Sequence, residues 1–364
     1  MLPYLRCFIS DEPLPARRDA GLILRRKRQM KPTLKKIGSQ VVVLTGATSG
    51  VGLVTARKAA ARGARLVLVA RSEDSLHKLA EELREQGAEV ITVTADVGRH
   101  EDVARVAHAA IERFGGFDTW INNAGVTIFG RHGDVPLEDQ RRLFDTNYWG
   151  TVHGSLAAAA HLRERGGAII NMGSEASDGP LPLQSAYAAS QHAIKGFTDS
   201  LRLELEQEQV PVSITLIKPA GLETPLAMHA KNFLDVEPRL PPPLYDPALA
   251  ADAILFAAEN PRRDLFVGGA AKAFSAAAYH TPHAFDRFMR RFMGRAQQTR
   301  HPAGPLEDNT LYGSGSGLQE RSGTRTALQS CPYTTTARHP LLVTALVVGA
   351  SAALAAVVQM RRGR

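Results

Sequence analysis

The residues with the clearest chemical meaning are the glycines of Thr45-Gly46-Ala47-Thr48-Ser49-Gly50-Val51-Gly52. Glycines at this spacing permit a tight turn and let backbone approach a ligand closely. Where such a turn opens a helix, its free N–H groups and positive dipole end receive a pyrophosphate. A glycine triplet alone is weak evidence; its weight comes from a strand before it and a helix after it. The chain then runs Leu66-Val67-Leu68-Val69-Ala70-Arg71-Ser72. A site for NAD would place an acid near the end of this second strand to hold the ribose 2′-hydroxyl, whereas an arginine accommodates a 2′-phosphate. Ala70 and Arg71 therefore point to NADP(H).

These residues need a scaffold, and the sequence pattern supplies one. From residue 40, short β-branched runs alternate with longer segments of helical apolar period, as in βαβ units that build a parallel sheet. Strands are expected at 41–45, 65–70, 90–94, 119–122, 168–172, 213–217 and 265–267. Helices are expected near 51–62, 73–86, 101–114, 137–161, 185–208 and 247–259. The expected fold is a single α/β domain over 38–295, a doubly wound parallel seven-stranded sheet (Rossmann fold). Proline is too frequent over 219–246 for regular structure, and 221–245 is expected to be a functional loop closing over substrate.

The glycine turn is one of several motifs along 38–270 through which the chain resembles the short-chain dehydrogenase/reductase family. Asp96-Val97, after the third strand, resembles the pair that contacts adenine; Asn122-Asn123-Ala124-Gly125 resembles the motif ending the fourth strand. Asn147, in Thr146-Asn147-Tyr148, stands where the family keeps a catalytic asparagine, and Ser174 precedes Tyr187 by the family's usual thirteen residues. The resemblance implies that Tyr187 is the general acid that protonates a carbonyl oxygen as hydride arrives. Ser174 would orient that oxygen, and Asn147 would hold a water in the proton relay. Pro219 and Thr224 match a further motif, in which the Leu222 backbone and Thr224 would bind the nicotinamide carboxamide. Ala220 stands where the family usually has glycine.

The main departure lies in Tyr187-Ala188-Ala189-Ser190-Gln191, because the family motif is Tyr-x-x-x-Lys. A unit charge about 4 Å from a developing phenolate is worth roughly 4 kcal/mol at an effective dielectric of 20, or about three pK units. Gln191 can hydrogen-bond a ribose hydroxyl, but a neutral amide does not stabilise tyrosinate in that way. Lys195 lies one helical turn beyond Gln191 and His192 beside it; both read as ordinary helix residues. Alcohol oxidation needs tyrosinate as base, whereas carbonyl reduction starts from neutral tyrosine, so reduction should survive the loss better.

Composition excludes several alternatives. Of the net charge of +8 in 364 residues, ten Lys/Arg against three acids fall in 1–37, which leaves a nearly neutral body. With no stripe of charge left for a phosphate backbone, nucleic-acid binding is not expected. Cys7 and Cys331 lie far apart without metal-ligand spacing, and the histidines, including His132, His153, His161, His229 and His280, form no convincing ligand pair, so no metal is expected. Phe285, Phe288, Met289, Phe292 and Met293 recur at helical spacing and read as packing residues.

Residues 1–37 read as a basic, disordered arm without a signal peptide, and 296–338, rich in Gly, Ser, Thr and Arg, as a linker. The uncharged run 341–358, extendable to 360, suggests a C-terminal apolar helix within 339–364 that anchors the chain in membrane lipid. The body would then face the cytoplasm, as it would without the anchor. The resulting expectation is an NADP(H)-dependent oxidoreductase acting on an apolar carbonyl or alcohol, with a homo-oligomer implied by the resemblance. The alternative is a non-catalytic NADP(H)-binding sensor or membrane-tethered scaffold, for which Gln191 is the main support.

Overall fold

The computed structural model describes residues 32–315, 317–323 and 326–338. Its sheet is built from β1 (Val41–Thr45), β2 (Arg65–Ala70), β3 (Val90–Thr94), β4 (Thr119–Asn122), β5 (Gly167–Met172), β6 (Val212–Pro219) and β7 (Asp264–Val267). All neighbours are parallel, in the order β7-β6-β5-β4-β1-β2-β3. β1 is buried along its whole length, as expected of a central strand covered on both faces. Its side chains alternate between two cores: Val42 and Leu44 pack on one face of the sheet, Val41 and Val43 on the other.

The helices are α1 (Gly50–Ala61), α2 (Glu73–Glu85), α3 (His100–Phe114), α4 (Leu137–Phe144), α5 (Gly150–Arg165), α6 (Ser185–Gln207) and α7 (Pro247–Glu259). Local chemistry sets several starts. Ser72 accepts from the Ser75 N–H at the head of α2, and Asp246 accepts from the Ala248 N–H at the head of α7, ahead of Pro247. The helix expected over 137–161 is interrupted by a π-helical turn at Asp145–Trp149 that joins α4 to α5 and carries Asn147. Beyond β7 come α8 (Gly269–His280) and α9 (Pro282–Phe288); Phe285 on α9 and Met289 just past its end are buried.

Strand order reverses between β1 and β4, so the connections leaving their carboxyl ends run to opposite sides and open a crevice there. One buried network fixes the end of β4. Trp120 Nε1 donates to Asn122 Oδ1 (2.8 Å), while Asn122 Nδ2 donates to Asn171 Oδ1 on β5 (2.8 Å) and Ser155 Oγ on α5 (3.0 Å).

One expectation changes. The stretch 296–338 is not a plain linker: Gln298–Pro302 pairs antiparallel with Val236–Pro238, Leu311 and Cys331 are buried, and α10 (Pro332–Arg338) follows. Its polar composition reads as solvated chain, but scattered apolar residues anchor it, and the Thr334 hydroxyl accepts from the Gly268 N–H (2.9 Å). The expected C-terminal apolar helix at 341–360 lies outside the described residues, as does almost all of the basic arm. Among the described residues no helix is long and apolar enough to cross a membrane.

Gly154 on α5 passes against the β4 network, where a Cβ would sit 2.0 Å from Asn122 Oδ1 and 2.6 Å from Trp120 Nε1. Gly154→Ala is expected to lower stability by about 1–3 kcal/mol through overpacking. Denaturant unfolding of the two proteins checks this.

Candidate active site

The crevice begins with a lock between the ends of β1 and β4. The Thr45 hydroxyl accepts from the N–H groups of Asn123 (3.0 Å) and Ala124 (3.1 Å), while Asn123 Nδ2 donates to the carbonyls of Thr45 (3.0 Å) and Gly46 (3.1 Å). This contact is so close that a Cβ on Gly46 would lie 2.8 Å from Ala124 Cα, and Gly46 takes φ +66°. Gly46, Thr48, Ser49, Gly50 and Val51 line the cleft together with Asn123, Ala124 and Gly125. Gly52 does not. A Cβ there would stand 1.9 Å from the Gly46 carbonyl, so its part is to let α1 pack on the turn.

At the β2 end of the cleft lie Arg71, Asp96 and Val97. Asp96 is engaged at both oxygens, by the Gly98 N–H (3.0 Å) and by Arg142 Nη2 (2.5 Å). Arg71 donates to the carbonyls of Thr310 (2.6 Å), Leu311 (3.3 Å) and Tyr312 (3.4 Å). Burial lowers its pKa from the ordinary arginine value. Sequence reasoning missed these tail residues because nothing in a Gly- and Ser-rich stretch signals where it docks.

At the opposite end Ser174, Tyr187, Asn147 and Gln191 come together, with Pro219, Leu222 and Thr224 across from them. Ser174 follows β5 and caps a short 3-10 turn at Glu175–Ser177, its Oγ accepting from the Ala176 N–H (3.1 Å). Tyr187 is on the first turn of α6 and hydrogen-bonds Ser174. Burial pushes the Tyr187 phenol up to about 12; the Glu175 charge adds to the rise and the Ser174 bond opposes it. Asn147 is committed elsewhere: Oδ1 accepts from the Val126 N–H (2.9 Å), and Nδ2 donates to the Val126 carbonyl (3.0 Å) and Ser190 Oγ (3.2 Å). Its side chain positions the loop after β4.

Gln191 is buried one turn beyond Tyr187, and its Oε1 has no hydrogen-bond partner among the described residues. An orphaned acceptor in the cleft wall suits a ligand hydroxyl, because leaving it unmatched carries a desolvation penalty. Lys195 does not replace the missing cation. It pairs with Asp199 (3.4 Å), and His192 Nδ1 contacts the Ala188 carbonyl (2.9 Å). Arg71, at the far end, is the one Lys or Arg among the described residues lining the cleft. No group of three or more His, Cys, Asp or Glu able to hold a metal ion occurs among the described residues.

Glu175 is the site residue that sequence reading missed. Burial alone raises its carboxyl up to about 7, beside the tyrosine. Position next to Ser174 was the available signal, but depth in the cleft wall is a tertiary property. The expected loop 221–245 supplies the far wall through Leu222, Thr224, Leu226 and Leu240. It contains a short strand, Lys231–Asn232, paired with Ile128–Phe129.

Comparison with known proteins gives consistent neighbours. The sequence pattern described as short chain dehydrogenase matches residues 40–234. The chain is 46% identical to the uncharacterized oxidoreductase YxnA of Bacillus subtilis, over 91% of this chain and 94% of that one. It is 39% identical to 11-beta-hydroxysteroid dehydrogenase A of Sesamum indicum, over 52% of this chain and about half (54%) of that relative's length. Among solved structures, L-sorbose reductase of Gluconobacter frateurii, complexed with NADPH and L-sorbose, is similar at a TM-score of 0.56 and 25% identity, covering 66% of this chain and 98% of that one. An alcohol dehydrogenase of the archaeon Thermococcus sibiricus, complexed with 5-hydroxy-NADP, is similar at 0.55 and 26%, covering 62% and 95%.

The raised Glu175 carboxyl predicts a pH dependence. Between its unfolded value of 4.5 and its folded value of about 7 the native state holds the extra proton. Its contribution to stability is therefore lost as pH rises through that window. Glu175→Gln is expected to flatten this part of the curve, melting higher than wild type above pH 7 relative to pH 4.5, as measured by thermal unfolding across pH.

Proposed function

Because this chain belongs to the short-chain dehydrogenase/reductase family of oxidoreductases, we propose that it is an NADP(H)-dependent reductase of apolar carbonyl compounds. The observation that carries the direction is a half-buried tyrosine, its phenol raised to about 12, with no Lys or Arg among the described residues lining its end of the cleft. Such a group is a neutral acid at pH 7, poised to give its proton to an oxygen that gains charge. NADPH, when bound, supplies the hydride. Ser174 orients the substrate carbonyl, and Tyr187 Oη gives its proton to the carbonyl oxygen.

The residues present fit that cofactor. Gly46 to Val51 form the pyrophosphate turn, Arg71 is the partner for a 2′-phosphate, and the orphaned Gln191 Oε1 accepts from a ribose hydroxyl. Pro219, the Leu222 backbone and Thr224 face the nicotinamide end. An apolar substrate is supported by Leu181, Leu222, Leu226 and Leu240 in the cleft wall. The hydroxysteroid dehydrogenase resemblance favours the same class. Exposed Trp149 at the head of α5 and Leu203 on α6 support a homo-oligomer formed through those helices.

The second reading, a non-catalytic NADP(H)-binding protein, is favoured by Gln191 alone. Single-turnover oxidation of NADPH against apolar ketones and aldehydes separates the two. Wild type is expected to turn over, and Tyr187→Phe to lose at least about 10²-fold, the usual scale of general acid catalysis. Gln191→Lys is expected to speed alcohol oxidation far more than reduction, by up to about 10³-fold if the full three pK units are restored. NADPH binding without turnover, rescued by Gln191→Lys, would establish the second reading.

A further inference from the structure

The tail touches the cofactor cleft at the groups a dinucleotide's phosphates would need. Three consecutive carbonyls, of Thr310, Leu311 and Tyr312, lie 2.6, 3.3 and 3.4 Å from the Arg71 guanidinium. Arg142 Nε donates to the same Leu311 carbonyl (3.1 Å). At the pyrophosphate turn, the Gly50 N–H that opens α1 donates to the Gln319 carbonyl (2.9 Å), and Ser49 bridges to Gln319. Each contact aims a neutral backbone acceptor at a donor suited to a phosphate oxygen. The cavity left between tail and body measures about 280 Å³. That is just below the roughly 300–1,000 Å³ typical of pockets for drug-sized ligands.

The tail is anchored beyond these contacts. Leu311 is 1% exposed, in the apolar cluster of Val126, Leu143 and Ala186 against which Tyr187 packs. Tyr312 Oη donates to the buried Asp139 (2.8 Å), which Lys231 pairs at 2.7 Å. The Thr310 N–H donates to the His229 carbonyl (2.9 Å).

We propose that residues 310–315 together with Gln319 form an internal competitor for NADP(H), seated on its phosphate donors and displaced when the dinucleotide binds. The proposal rests on the NADP(H) reading above. The exchange is downhill at Arg71, because a phosphate adds an opposite charge and bidentate acceptor geometry that a neutral carbonyl lacks. The anchors oppose it. They set the fraction of molecules with the tail released, and the apparent dissociation constant rises by the inverse of that fraction. Since that fraction belongs to the protein and not to the ligand, it weakens NADPH and NADH equally, leaving preference to Arg71.

The test is fluorescence titration of NADPH and NADH into the full chain, for wild type, Tyr312→Phe and Leu311→Ala. Hydrogen exchange over 310–315 with and without NADPH runs beside it. Losing one bond to a buried carboxylate should tighten NADPH binding by up to about tenfold. NADH binding should tighten by the same factor, and exchange over 310–315 should rise when NADPH is added. NADPH binding unchanged or weakened in variants that melt like wild type, tightening for one dinucleotide only, or protection of 310–315 by NADPH would each overturn the proposal. Those outcomes leave the cofactor reading standing, whereas absence of NADPH binding in wild type and variants alike, or a wild-type preference for NADH, overturns the reading and the proposal together.

Discussion

The structure depends on the lock between the ends of β1 and β4. Two donors of the Asn123-Ala124 backbone converge on the Thr45 hydroxyl, and the Asn123 amide returns two bonds to the β1 turn. Those four bonds hold the two segments leaving the switch point close enough that Gly46 must be glycine, at φ +66°. With the turn held there, α1 presents its N-terminus to the crevice. The Asn122 network behind it ties the same strand end to β5, from whose C-terminus Ser174 emerges. The phosphate end and the catalytic end of the cleft are thus braced by adjacent residues of one strand.

The electrostatics of the catalytic end follow from what is missing as much as from what is present. A half-buried phenol near a carboxyl, with a neutral amide one turn away, holds its proton strongly. Lys195 is too far along the helix to change this and is satisfied by Asp199. Asn147, locked into the Val126 backbone from within a π-helical turn, adds rigidity and no charge. The phenol therefore rests in its protonated form, and the tyrosinate form is strongly disfavoured.

The tail makes the domain larger than the family match over 40–234 would suggest. It adds a strand pair, seals α8 and β7 through Cys331 and Thr334, and crosses the cofactor cleft on the way. The similarity to YxnA extends over 91% of the chain and so includes most of this added segment. A binding site walled partly by a chain segment with its own anchors responds to anything that loosens those anchors.

The sequence by itself determined the seven strands, the crossover helices and the glycine turn. These rest on local periodicity and on short motifs whose meaning survives without tertiary context: continuous apolar runs such as Val41–Thr45, and glycines where backbone must turn. It also made the replacement of a charged residue by Gln191 visible. What only the tertiary structure decided are properties of depth and of distant partners. Glu175 beside Ser174 reads as any acid in a turn until the cleft wall closes over it. That the Asn147 amide is bonded to the Val126 backbone is likewise invisible along the chain. Residues 310–315 and Gln319 read as solvated linker because much of their docking is carried by backbone carbonyls, which every residue possesses and no composition records. The contact between Arg71 and Thr310 spans 239 positions along the chain, and only folding brings those groups together.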